Sequence, residues 1–113
     1  DLTGSDDQVA GVLLDLARQE TSPRSSALAG VLVATMEAAG APMNRHPLRR
    51  AGFSVLKSAD IPSVLIELGF LSSNRDLTNL RDPVWRAEMV AAITQGILAW
   101  RDKDATSKPL TWK

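Results

Sequence analysis

The sequence predicts an α/β domain, a mixed sheet flanked by helices in the order helix, helix, strand, strand, short helix, long helix. Three observations predict it. Apolar residues recur three and four apart before residue 40 and again after residue 82, which is the period of helices with one buried face. Between these stretches Val64, Leu65 and Ile66 form a continuous apolar run entered through Pro62, as in a strand buried on both faces. Glu67 then ends the run, two residues before Gly69, and ligands of open α/β sheets bind beyond the carboxyl ends of the strands.

Each element has its own signal. Ser5 and Gln8 make an S-x-x-Q capping box, Asp6 and Asp7 fall in the first turn, and Val9, Val12, Leu13, Leu16 and Ala17 share a face, predicting a first helix over about Asp6 to Glu20. Ser22 followed by Pro23 reads as an N-cap with a first-turn proline. It opens a second helix on which Leu28, Val31, Leu32, Thr35 and Ala39 line one face until Gly40 stops it. Ala41 to Arg50 has two prolines and neither period, so it reads as a loop. Strands are expected near Phe53 to Leu56 and over Ser63 to Glu67. The link between them is too short for a parallel crossover, so they are antiparallel or not direct neighbours, and the antiparallel choice makes the sheet mixed.

Asn74 to Leu80 reads as a short helical turn. Asp82-Pro83 repeats the cap-plus-proline signature, and Trp85, Met89, Ile93, Ile97 and Trp100 then line a long last helix expected to cover a face of the sheet. Arg101, Lys103 and Lys108 near its end suit the helix dipole. Residues 1–105 are read as the domain and 106–113 as a mobile tail, in which Trp112 has no predicted role.

Composition narrows the function classes. A chain of 113 residues with 44% hydrophobic and 23% charged residues is one compact soluble domain rather than a disordered or membrane-spanning one. Thirteen basic and thirteen acidic residues cancel, so charge favours neither nucleic acid nor an anionic membrane surface as a partner. No run approaches the roughly 18 apolar residues of a membrane helix, and the first residues lack the pattern of an export signal. The absence of cysteine removes thiolate metal sites, disulfides and cysteine nucleophiles.

Phe53 to Leu71, reading F-S-V-L-K-S-A-D-I-P-S-V-L-I-E-L-G-F-L, resembles the last catalytic segment of the zinc-dependent N-acetylmuramoyl-L-alanine amidases of bacterial cell walls. Val9 to Thr21, Arg50 to Phe53, and Leu80 to Trp100 follow the same family's order. The resemblance implies that this chain is the C-terminal half of the catalytic domain. It implies zinc as cofactor, held by two histidines and a glutamate that lie N-terminal to this segment, so no metal ligand is assigned to this chain. It further implies peptidoglycan as substrate, a periplasmic or extracellular location, and a role in wall turnover and daughter-cell separation. The N-terminal half of the catalytic domain and, as in some relatives, an activator protein are the implied partners. One departure is visible. Where the family commonly has Ser-Asn after the Gly-Phe-hydrophobic triplet, this chain has Ser72-Ser73 and then Asn74, and Ser73 is expected to cap the following turn in place of the Asn.

Among candidate site residues, Glu67 read by position alone is more often a surface or ion-paired residue. The resemblance makes it similar to a general base that takes a proton from zinc-bound water and passes it to the leaving nitrogen. Gly69 and Phe70 are candidates for substrate binding, with a turn glycine and a core phenylalanine as the plainer account. His46 is the only histidine and lies among Arg45, Arg49 and Arg50, a cationic setting that disfavours a metal and favours a solvated loop. Those arginines would suit a carboxylate clamp, or simply solvation. Ser25, Ser26, Ser72 and Ser73 lie in no nucleophile-elbow pattern.

Two functions follow. One is catalytic, as part of an amidase cutting the bond between the N-acetylmuramoyl lactyl group and L-alanine. The other is a non-catalytic module without the zinc site that binds peptidoglycan or a partner protein.

Overall fold

A computed structural model describes residues 5–48 and 60–107, with side chains described for 19–48 and 60–106. Three helices carry the fold: α1 (Ser5–Ala38), α2 (Asn74–Arg81) and α3 (Pro83–Ser107). α1 packs against α3, and α2 packs against α3. The α1–α3 pair is antiparallel. Arg24 meets Asp104 at one end, and Met36 meets Met89 and Ala92 at the other.

The α/β expectation is corrected by this architecture, because the described residues contain three helices and no strand. Ser63 to Glu67, expected as a strand, lies within a segment without regular structure over residues 62–70. The physical reason is pairing: a strand exists only where a neighbour satisfies its backbone groups, and here no neighbouring strand is present among the described residues. The Ser63 N–H donates instead to the Ser25 hydroxyl of α1 at 2.8 Å, and the Ser63 hydroxyl donates to the Ile61 carbonyl at 2.9 Å. Val64 and Ile66 are half-buried while Leu65 is exposed, so the run buries one side on the helices instead of two sides in a sheet. The strand expected at Phe53 to Leu56 lies outside the described residues. α3, expected on a sheet face, rests on α1.

The two helices expected before Gly40 are one helix of 34 residues that runs through Pro23. A proline inside a helix removes one backbone hydrogen bond and crowds the carbonyl four residues back, at a cost of about 3 kcal/mol. Tertiary contacts around Pro23 oppose that cost. The Arg24 guanidinium donates two hydrogen bonds to the Asp104 carboxylate, both at 2.8 Å, and the Trp100 indole N–H donates to the Arg24 carbonyl at 3.0 Å. Thr21 is buried two residues before the proline. A first-turn proline signal is therefore overridden by what the adjoining turns touch.

α1 stops where the sequence places its end. Gly40 has φ +93°, the left-handed conformation that glycine adopts without strain. Its N–H donates to the Glu37 carbonyl and the Ala41 N–H to the Met36 carbonyl, each at 3.0 Å. This is the paired closure that satisfies the last carbonyls of a helix, and Ala41 packs back near Met36 as that motif requires. At the same end of the antiparallel pair, Asp82 caps α3 by accepting the Val84 N–H at 2.9 Å, as the Asp-Pro signature predicts. α3 continues to Ser107, and residues 108–113 lie outside the described residues. No helix among the described residues is long and apolar enough to cross a membrane.

The core lies in the α1–α3 seam. Met36 of α1 meets Met89 and Ala92 of α3, Leu28 and Leu32 are buried further back along α1, and Met89 at 1% exposure is the most enclosed large side chain among the described residues. Ile66 reaches this cluster from the irregular segment, beside Trp85 and Ile93. The helices pack closely at Gly96, where an added Cβ would lie 2.8 Å from Thr35 Oγ1 and 3.0 Å from Leu32 Cδ2. Gly30 of α1, by contrast, has nothing within 4 Å of such a Cβ.

These two glycines give opposite predictions. Gly96→Ala overpacks the seam and is expected to destabilise by about 1–3 kcal/mol, whereas Gly30→Ala removes a helix-interior glycine and stabilises by about 0.5–1 kcal/mol. Urea unfolding of the two variants beside the parent reads the difference, and equal effects would contradict close approach at Gly96.

Candidate active site

The site is built on residues 62–76, between the core and the first turn of α2. Ile66 anchors one side by packing on Met36, Met89 and Ala92. Glu67 follows immediately. Its side chain is exposed and makes no hydrogen bond or ion pair among the described residues. A carboxylate so placed is open to water and to an approaching molecule.

Beyond Glu67 the chain is held by α2. The Phe70 N–H donates to Asp76 Oδ2 at 3.0 Å, and the Phe70 carbonyl accepts from the Ser73 N–H at 3.0 Å. Both main-chain groups of Phe70 are therefore engaged. Ser73, with φ −93° and ψ 123°, is the N-cap of α2, and its hydroxyl accepts the Asp76 N–H at 3.2 Å. The capping role expected of Ser73 in place of Asn is present. Asp76 is 6% exposed and also accepts from Arg75 Nε at 3.2 Å.

Gly69 is required here by space. A Cβ on it would lie 2.9 Å from Asp76 Cβ and 3.2 Å from Asp76 Cγ. Its φ is not in the left-handed region, so room, not conformation, selects glycine. Phe70 is 51% exposed and so presents its ring outward rather than to the core. Leu65, Leu68 and Leu71 are exposed around it.

The other candidates fall elsewhere. Arg45 and His46 are exposed on the 41–48 segment, and Arg49 and Arg50 lie outside the described residues. Ser25 spends its oxygen on the Ser63 N–H, and Ser73 on the α2 cap, so both hydroxyls serve structure. Among the described residues no group of three His, Cys, Asp or Glu side chains is arranged to hold a metal ion.

Sequence reasoning passed over Asp76, although the signal was there: Ser73-Asn74-Arg75-Asp76 is an S-x-x-D capping pattern. Its partner is unusual. In the reciprocal capping box the acidic residue returns to the N-cap amide, whereas Asp76 reaches three residues further back to Phe70.

An apolar segment that rests on the helices, ends in an open carboxylate and is followed by a clamped turn is the geometry of this region. The pattern of the N-acetylmuramoyl-L-alanine amidases matches residues 4–99. The chain belongs to that family. It is 34% identical over 64 residues to N-acetylmuramoyl-L-alanine amidase AmiC of Escherichia coli O6:H1, covering 57% of this chain and 15% of that protein. It is 37% identical over 71 residues to the probable cell wall amidase LytH of Staphylococcus aureus, covering 63% of this chain and 24% of that protein. The chain therefore spans less than a quarter of the length of these curated relatives. No solved structure matches it.

The Asp76 carboxyl is held below its ordinary value of 3.8, chiefly by the hydrogen bond from the Phe70 N–H, with desolvation opposing and Arg75 assisting. A depressed carboxyl contributes stability that is fully present above its ordinary value and lost as pH falls through the lowered one. The stability gap between the parent and Asp76→Asn is accordingly expected to narrow as pH falls below 3.8. Urea unfolding at neutral and acid pH measures it, and a gap that widens in acid would rule out an ionised Asp76 as the acceptor.

Proposed function

We propose that this chain is the Glu67-bearing part of a peptidoglycan amidase that hydrolyses the amide between the N-acetylmuramoyl lactyl group and L-alanine. The observation that carries the reading is Glu67 itself. Within a region matching the amidase family, its exposed carboxylate stands at the end of the Val64-Leu65-Ile66 run, without a partner among the described residues.

The role follows from carboxylate chemistry. Glu67 accepts a proton from the attacking water as its oxygen adds to the amide carbonyl carbon, then delivers that proton to the nitrogen as the C–N bond breaks. The products are the lactyl carboxylate and the free amine of L-alanine. Phe70 offers an exposed apolar ring beside the reacting bond, and Gly69 offers its backbone to the substrate. Because the described residues hold no three-donor cluster, the zinc implied by the family has no ligand set among them in this reading. Its ligands lie in another segment. Such a protein works where peptidoglycan lies, outside the cytoplasmic membrane, in wall turnover and daughter-cell separation, with control by an activator as in some relatives.

The amount of uncovered apolar surface supports a partner segment. Around the site Ile61, Leu65, Leu68, Phe70 and Leu71 are exposed, and on α3 so are Val84, Val90, Ile97 and Leu98. Apolar exposure of this extent marks surfaces that are covered in the working molecule. The 113-residue chain by itself is therefore expected to self-associate and to bind a hydrophobic dye. Sedimentation velocity showing a monodisperse, dye-silent monomer would count against the partner segment.

The catalytic reading is tested by Glu67→Gln in the whole protein that contains this chain, which keeps the shape and removes the base. Release of stem peptides from purified peptidoglycan is expected to fall by roughly 10²–10⁴-fold, with folding unchanged by circular dichroism. Turnover retained in that variant would remove Glu67 from the chemistry.

A further inference from the structure

We propose that Asp76 is a positioning residue for Glu67, acting through the Phe70 peptide. The inference rests on the reading of Glu67 as the base, and adds a residue that touches neither substrate nor reacting atoms.

Glu67 lies between two anchors. On its N-terminal side Ile66 is packed on Met36, Met89 and Ala92. On its C-terminal side the first fixed backbone groups are those of Phe70, whose N–H is held by Asp76 Oδ2 and whose carbonyl is held by the Ser73 N–H. Only Leu68 and Gly69 separate Glu67 from that clamp. The direction in which Glu67 leaves the backbone is therefore set by where α2 holds Phe70.

Asp76 is itself firmly placed. Its backbone N–H is tied to the Ser73 cap, its Oδ1 accepts from Arg75, and its side chain is enclosed. α2 is fixed in turn to α3, where Arg86 Nη1 donates to the Leu80 carbonyl at 2.8 Å. The Gly69 backbone runs so close that a Cβ there would lie 2.9 Å from Asp76 Cβ. A side chain at position 69 would therefore push the two segments apart. Glycine at 69 and aspartate at 76 thus form one device: the first lets the backbone approach, and the second captures the amide that arrives. A reacting carboxylate misplaced by about 1 Å can lose about 10²-fold in rate, so a clamp of this kind bears directly on turnover.

The experiment compares Asp76→Ala, Asp76→Asn and Glu67→Gln in the whole protein, reading kcat and KM on peptidoglycan fragments together with hydrogen exchange at the Phe70 amide. Asp76→Ala is expected to lower kcat by about 10–100-fold, a larger effect than the rise in KM that a freed Phe70 ring produces, because the placement of Glu67 is the chief loss. Phe70 exchange should quicken by at least about tenfold while core amides of α3 keep their protection. Asp76→Asn retains an oxygen acceptor and should recover most of kcat and of the protection at Phe70. A purely structural role would instead lower the folded fraction and leave kcat per folded molecule unchanged, and that result overturns the proposal. So does quickened Phe70 exchange with unaltered kcat. If Asp76→Ala does not fold, Asp76→Ser, whose hydroxyl is too short to reach the Phe70 amide, takes its place beside Asp76→Asn, with loss of kcat expected in the serine variant alone and equal kcat in the two overturning the proposal. Glu67→Gln separates the two ideas. Retained turnover in that variant overturns the base assignment, whereas a dead Glu67→Gln beside a fully active Asp76→Ala overturns only the positioning role.

Discussion

The antiparallel seam between α1 and α3 is the constraint on which the rest of the structure depends. At Gly96, against Leu32 and Thr35, the absence of one carbon lets the two helices pack closely. Close approach there brings Met89 under Met36 and leaves a surface on which Ile66 can rest. At the other end the seam is closed by polar contacts, Arg24 with Asp104 and the Trp100 indole on the Arg24 carbonyl. Asp104 is 10% exposed at its side chain, so the pair works in partial desolvation, where a two-point Arg–carboxylate contact holds geometry better than an open surface pair. Apolar packing and a directional ion pair thus fix the same two helices at opposite ends, and the helix register follows.

From that seam the site is reached in two steps of decreasing burial. Ile66 joins the core, and the chain then rises to the surface at Glu67 before α2 catches it at Phe70. Functional carboxylates need this combination: access to water for the group, and fixed backbone on both sides so that access does not become mobility. The anchors differ in kind. The apolar anchor tolerates small shifts, while the anchor at Phe70 is directional, with an amide and a carbonyl each given one partner.

Legibility in the sequence followed the range of the interaction. Gly40 as a helix stop, Asp82-Pro83 as a helix start and Ser73 as a cap were all readable, because each depends on neighbours within a few residues. Leu28 and Leu32 were readable as buried because helical period carries that information, and Met89 likewise. Pro23 was misread for the opposite reason. Its local signal is a helix start, and what overrides it, Arg24 reaching Asp104, spans eighty positions of sequence. Asp76 lay between these cases: its capping pattern is local, but its true partner, Phe70, belongs to a turn whose shape short patterns do not encode. Glu67 was legible as a candidate through its surroundings in sequence, while the freedom of its carboxylate among the described residues is a property of the fold.

The strand reading of Val64 to Ile66 failed in an informative way. A continuous apolar run is the pattern of a segment buried on both sides, and here only one side is covered, by the helices. α3 repeats the situation. Trp85, Met89, Ala92 and Ile93 face the core while Val84, Val90, Ile97 and Leu98 stand exposed on the other side, so the helix is apolar nearly all round. A helix of that composition is ordinarily buried on more than one face. Both elements therefore carry hydrophobic patterning for a second layer that the described residues do not supply, and the two bare surfaces belong to the segment that bears Glu67 and to the helix that supports it. What covers one element bears on the other, because Ile66 and α3 share the same core contacts. Any layer that completes the fold would then press on the backbone leading into Glu67, making the completion of the core and the placement of the carboxylate one structural event.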